Sequence, residues 1–273
     1  MSELKFVVAV DGSHNSREAF EITTREFLGP EDHITIIHFF SDEKVYLPYN
    51  FKREYIYDDY ENYLISFYSS RKYSLDFVPR DTKIKTAEQI QQYAETNSGG
   101  LLVVGFSGAK GPKEDPTLMS SAVDHNVKFG KVPLCIVKKN FSREELGGFH
   151  WLVLVDGSEQ SLRALEMTFR LLDTARDQVT LLHAYNVSHV DYREIYMPMI
   201  YERGVRGTFE EFACGVNIAK ELVDYINSWE TDFHFIVMGV SGMGTSNRSS
   251  IFNVGSVTQN VLKYAKTNII INK

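Results

Sequence analysis

Short runs of consecutive apolar residues alternate along the chain with longer stretches in which apolar side chains recur every three or four positions. The runs at 6–10, 101–104, 152–155 and 235–238 are typical. Unbroken apolarity marks strands covered on both faces, as in a parallel sheet flanked by helices; half-exposed strands alternate instead. The pattern predicts strands near 4–10, 33–39, 74–79, 100–105 and 133–138, with helices near 14–28, 54–70, 86–97 and 120–130. Further on it predicts strands near 151–155, 178–184, 206–212, 234–239 and 268–272, with helices near 158–173, 190–203, 216–229 and 256–266. Alternation of strand and helix with right-handed crossovers gives a doubly wound α/β sheet in each half.

The two halves repeat one another. Lys5-Phe-Val-Val-Ala-Val-Asp-Gly-Ser13 returns as Trp151-Leu-Val-Leu-Val-Asp-Gly-Ser158, and a second serine follows three residues on, at Ser16 and Ser161. Runs ending in His38 and His183 come next, then Leu101-Leu-Val-Val-Gly-Phe-Ser-Gly108 against Phe235-Ile-Val-Met-Gly-Val-Ser-Gly242. Several blocks in one order mean duplication. The offset between copies shrinks after the second strand by about eleven residues, a deletion expected around the second helix and third strand of the second copy. Two domains are therefore predicted, 1–140 and 149–273, joined by a polar linker at 140–149 that contains Gly147-Gly148.

Composition narrows the partners. A net charge of −7 disfavours nucleic acid and anionic membrane surfaces, which need clustered Lys and Arg. One small anion stays compatible, because backbone N–H groups supply that field locally. The first residues lack a basic segment followed by an apolar one, and no apolar run approaches the roughly 20 residues that span a bilayer, so a cytoplasmic location is expected. Cys135 and Cys214 are expected as buried thiols. No metal-ligand spacing and no nucleophile–base arrangement stands out, so neither a metal site nor a catalytic residue is nominated. His38 and His183 read as partly buried histidines at strand ends, and Ser13, Ser16, Ser158 and Ser161 as helix-capping residues.

In an open parallel sheet, ligands bind beyond the carboxyl ends of the strands, where strand order reverses. Asp-Gly-Ser after the first strand and Gly-x-x-Gly after the fourth both fall there. In the second half Gly239-Val-Ser-Gly242 is followed by a loop and by Gly255-Ser256-Val257-Thr258, which opens the last helix. Glycines allow close approach to phosphate oxygens, and the free N–H groups of a helix start hold an anion. The same residues also suit an ordinary strand end and helix start.

Val-Asp-Gly-Ser-x-x-Ser, the strand ending in His, and Met238-Gly-x-x-Gly…Gly-Ser-Val-Thr258 together resemble the universal stress protein family over nearly the whole chain, twice. The resemblance implies two five-stranded parallel sheets, each in the order 3-2-1-4-5, and ATP as ligand, with or without Mg. By motif it nominates Asp156, Met238, Gly239, Gly242, Gly255, Ser256, Val257 and Thr258 as ATP-binding, with Val179 or Thr180 on strand two near adenine and Arg248 toward a terminal phosphate. A weaker second site would use Asp11, Gly105, Gly108, Ser120 and Ser121.

This chain departs from the pattern in its spacers. The second-half spacer, 243–254, is about three residues longer than the family's. That of the first half carries Pro112 and Pro116, which remove backbone donors, and Glu114 and Asp115, which repel phosphate; Ser120 replaces the third glycine. The first half is thus expected to be impaired. The resemblance further implies an internal pseudo-dimer through the last strands, with other homo-oligomeric contacts open. The expected function is an ATP-binding stress-response or regulatory protein that acts through association, with at most slow ATP hydrolysis or autophosphorylation. The alternative is a nucleotide-free tandem interaction module.

Overall fold

The computed structural model describes residues 3–41, 48–97, 99–109, 117–186, 189–228, 233–241 and 254–273. It divides into two compact units, Met1–Asn140 and Phe141–Lys273.

The first unit contains β1 (Lys5–Ala9), α1 (His14–Ile22), β2 (His33–Phe40), α2 (Arg53–Tyr68), β3 (Lys72–Pro79), α3 (Thr86–Thr96), β4 (Leu101–Gly105), α4 (Ser121–Phe129) and β5 (Leu134–Val137). Its strands lie in the order β3-β2-β1-β4-β5, and every pair is parallel. The second unit contains α5 (Arg143–Leu146), β6 (His150–Leu154), α6 (Glu159–Leu171), β7 (Gln178–Tyr185), α7 (Arg193–Glu202), β8 (Arg206–Ala213), α8 (Ile218–Ser228), β9 (Phe235–Gly239), α9 (Ser256–Tyr264) and β10 (Asn268–Asn272). Its order is β8-β7-β6-β9-β10, again parallel throughout. Both units thus have the doubly wound 3-2-1-4-5 arrangement. The central strands are buried on both faces: successive residues point to opposite sides, and Phe6 and Val7 in one unit and Trp151 and Leu152 in the other are all buried.

The size difference between copies sits where the repeat offset placed it. Between β2 and β3 lie 31 residues (41–71), and between β7 and β8 only 20 (186–205). The single helix expected at 14–28 is instead α1 followed by a π-helical turn, Thr23–Phe27. The Thr23 and Thr24 hydroxyls donate to the carbonyls of Ala19 and Phe20, at 2.7 and 3.0 Å. Such back-bonding competes with the regular ladder and widens the last turn.

The segment expected as a polar linker is structured. Ser142 caps the short α5, Gly147 ends it at φ 71°, and Arg143 runs inward to Asp177. The Arg143 side chain is 5% exposed and that of Asp177 0%. Asp177 also accepts from the Phe149 N–H at 2.8 Å, the Trp151 indole at 2.9 Å and the Asp173 N–H at 2.9 Å. A buried carboxylate is tolerated only with this density of donors.

Candidate functional site

At the carboxyl edge of the second sheet, Asp156 follows β6. Its Oδ1 accepts from the Ser158 N–H at 3.1 Å and the Ser158 hydroxyl at 2.6 Å. Ser158 caps α6 by accepting from the Ser161 N–H at 3.2 Å. Gly157 turns the chain at φ 81°, and a Cβ there would sit 2.3 Å from the Tyr192 ring, so the turn needs glycine twice over. Tyr196, fully buried on α7, accepts from the Gly157 N–H at 3.0 Å and meets the Ser161 hydroxyl at 2.7 Å. Burial raises the Tyr196 phenol's pKa above its ordinary value, and the hydrogen bonds from Ser161 and Gly157 only partly oppose this.

The neighbouring strand ends complete the edge. His183 lies near the carboxyl end of β7, with Nδ1 3.0 Å from the Val155 carbonyl and the Tyr192 ring edge-on at 4.9 Å. Met238 and Gly239 end β9, and a Cβ at Gly239 would lie 2.8 Å from Gln160 Cβ on α6. Beyond them Ser241 donates to Gln160 Oε1 twice, from its N–H at 2.9 Å and from its hydroxyl at 3.0 Å.

Gly255, the N-cap of α9, donates to the Val240 carbonyl at 3.0 Å. It contributes no side-chain acceptor to the helix start, and the described atoms that a Cβ there would meet stand at 3.6 Å and beyond. Ser256 is exposed and Val257 half-buried. The Thr258 hydroxyl is committed to the carbonyls of Gly239 and Val240, 3.2 Å from each, so only its backbone N–H faces the helix start. Gly242 and Arg248 lie outside the described residues.

Asp156, Met238, Gly239, Gly255, Ser256, Val257 and Thr258 are thereby brought to one edge. Val179 is not. It pairs with Trp151 and Gly207 near the amino-terminal end of its strand. His183 lies four residues further along β7, about 13 Å at the rise of a strand. Thr180 is likewise remote, bonded to His150 Nε2 at 2.8 Å. The expectation for strand two is corrected accordingly: the residues that end β7 at the crevice are His183, Ala184 and Tyr185.

No protein-family model and no curated protein matches the sequence. Solved structures do match it over its whole length. A universal stress protein from Archaeoglobus fulgidus DSM 4304 superposes with a TM-score of 0.63 at 16% identity, over 100% of this chain and 99% of that one. A putative universal stress protein from Pseudomonas aeruginosa UCBPP-PA14 gives 0.69 at 14%, covering 100% and 94%. A functionally unknown protein from Pseudomonas aeruginosa PAO1 gives 0.65 at 11%, covering 100% and 93%.

The chain carries the universal stress protein fold twice in tandem. The two copies of that fold share a frame at the carboxyl edge. Asp11 accepts from Ser13, Ser13 caps α1, and a Cβ at Gly105 would lie 2.6 Å from the Asn15 backbone. The Ser107 hydroxyl donates to Asn15 Oδ1, as Ser241 does to Gln160. His38 Nδ1 lies 2.8 Å from the Val10 carbonyl, and burial lowers its pKa.

The copies of the universal stress protein fold differ where a ligand would enter. In the first, the Ala109 N–H donates to Asp11 Oδ2 at 2.6 Å, and a Cβ at Gly108 would meet the same oxygen at 2.8 Å. Ser120 caps α4 with its own hydroxyl, accepting from the Val123 N–H at 3.2 Å, while Ser121 is exposed. A recess of about 340 Å³ does open in this copy, between Phe40, Arg53, Tyr57 and Phe77, but no motif residue lines it. Sequence reasoning missed Gln160 and Asn15. Their only signal is the position each shares, four residues after the aspartate.

Proposed function

We propose that this protein is an adenine nucleotide-binding regulatory protein of the universal stress type, with ATP held in the second unit between Asp156 and the start of α9. The observation that carries this reading is the contrast of helix starts: α9 begins at a glycine that supplies no acceptor, whereas Ser120 caps α4 internally. An uncapped helix start offers N–H donors and a positive dipole end to an anion. In this reading Gly255, Ser256, Val257 and Thr258 present backbone donors to phosphate, Gly242 and Arg248 belong to the same loop, and magnesium accompanies the nucleotide. The nucleotide tunes association in the cytoplasm rather than feeding rapid turnover.

The test is to identify any adenylate released from the purified protein by heat, then titrate ATP with magnesium. One equivalent bound, abolished by Gly242→Val and unchanged by Gly108→Val, is expected. No released adenylate and no binding at millimolar ATP sinks the reading.

A nucleotide-free tandem module is the second reading. It is favoured by the packing reason already given for Gly239, whose missing Cβ makes room for Gln160. Pairing of the halves through their last strands rests on the family resemblance alone. A strictly dimeric mass in light scattering that Ile270→Lys converts to soluble monomer would count against it.

A further inference from the structure

We propose that Gln160 is a positioning residue for phosphate binding in the second unit, a role that rests on the nucleotide reading above. Gln160 lies in the first turn of α6, two residues after the cap Ser158 and four after Asp156. The bare α-carbon of Gly239 lets the helix close onto the strand end, with Gln160 Cβ where a strand side chain would otherwise stand. From there Oε1 receives both the N–H and the hydroxyl of Ser241. A side-chain carbonyl has two lone pairs, and both are used.

The turn held in this way anchors the helix start. Val240, next to Ser241, accepts from the Gly255 N–H at 3.0 Å and from the Thr258 hydroxyl at 3.2 Å. One amide therefore places the Asp156 loop and the N-terminus of α9 on a common frame. Packing over Gly239 needs only the methylenes of Gln160; the double acceptor has the separate effect of fixing how Ser241 leads into the following loop. A neutral amide does this without bringing negative charge toward phosphates, which a carboxylate would. The first unit repeats the tie with the shorter Asn15, whose Nδ2 donates to Glu18 at 2.8 Å.

Gln160→Met keeps the length and the methylenes but removes the acceptor. Full-length wild type and variant are compared for binding of ATP with magnesium and of adenosine, for Tm, and for hydrogen exchange at the Ser241 amide. The expected result is ATP affinity lower by about tenfold, the scale of one charge-assisted hydrogen bond. Adenosine affinity and Tm stay near wild type, and the Ser241 amide exchanges faster. Gln160→Glu, which keeps an acceptor, preserves the slow exchange but weakens ATP more than AMP. ATP binding that Gln160→Met leaves unchanged overturns the positioning role alone. Equal losses for ATP and adenosine also overturn it, since they mark general damage to the fold. If wild type binds no ATP, the nucleotide reading falls and the positioning role falls with it.

Discussion

Gly255 and Ser120 stand at the same point of the two copies, and a single hydroxymethyl group separates a helix start that supplies its own acceptor from one that does not. Transplanting that group tests the contrast. Gly255→Ser should stabilise the second unit by a few tenths of a kcal/mol, the usual gain of serine over glycine at an N-cap. The same change should weaken ATP by roughly fivefold, because hydroxyl and phosphate compete for the same donors. Thermal denaturation and calorimetry read the two effects, and tighter ATP binding would refute the competition.

His150 contributes to the pH dependence, alongside the buried His38. His150 is 8% exposed, its Nδ1 has no hydrogen-bond partner among the described residues, and burial followed by the nearby His234 lowers its pKa to about 4. The unfolded chain takes up this proton first, near the ordinary value of about 6.5. Stability from the neutral ring is therefore full above pH 6.5 and declines as the pH falls toward 4, by up to about 3 kcal/mol. His150→Phe should flatten that decline in urea titrations; an unchanged profile would assign it to other groups. At this scale the sequence was partly legible. Asp-Gly-Ser identified its caps because capping is local, whereas Gln160 depends on a strand 79 residues away, and Val179 was misplaced because an apolar run does not disclose which of its residues reach the carboxyl edge.

Elements were the most legible level, since continuous apolar runs and capped amphipathic stretches are read over many residues at once. The two departures have separate causes. The π-helical turn after α1 follows from two adjacent threonines bonding backward, which helical periodicity does not register. The helix α5 escaped because the glycines at 147 and 148 look like a flexible joint, while the tertiary partner that orders the segment, Asp177, is remote in sequence. Arg143→Met should cost about 3–5 kcal/mol, the penalty of stranding a buried charge. Both tryptophans, Trp151 and Trp229, belong to the second unit, so urea denaturation followed by tryptophan fluorescence isolates that loss from the first unit. A change under 1 kcal/mol would mean that the remaining donors suffice for Asp177.

For the whole molecule, duplication was visible directly in the repeated blocks, and the eleven-residue shortening fell between β7 and β8 as the offset required. Duplication did not imply equal copies. The first closes Ala109 onto Asp11 and caps its own helix, and the second leaves a glycine at the matching point. On the proposed nucleotide reading, calorimetry should find one ATP per chain rather than two, with Asp11→Ala changing neither number nor affinity. Two equivalents would restore the first copy as a site.

The knot around Arg143 has a consequence for how the copies come apart. A protease that recognises arginine must draw the side chain into its own pocket, and this guanidinium is held inside the second core by Asp177 and the Leu171 carbonyl. Digestion by trypsin under native conditions should therefore spare the bond after Arg143, so that a cut between the copies falls at the exposed Lys139. The fragment released would keep residues 140–149 as its own amino-terminal brace, so that what resembles a hinge in the sequence travels as part of one half.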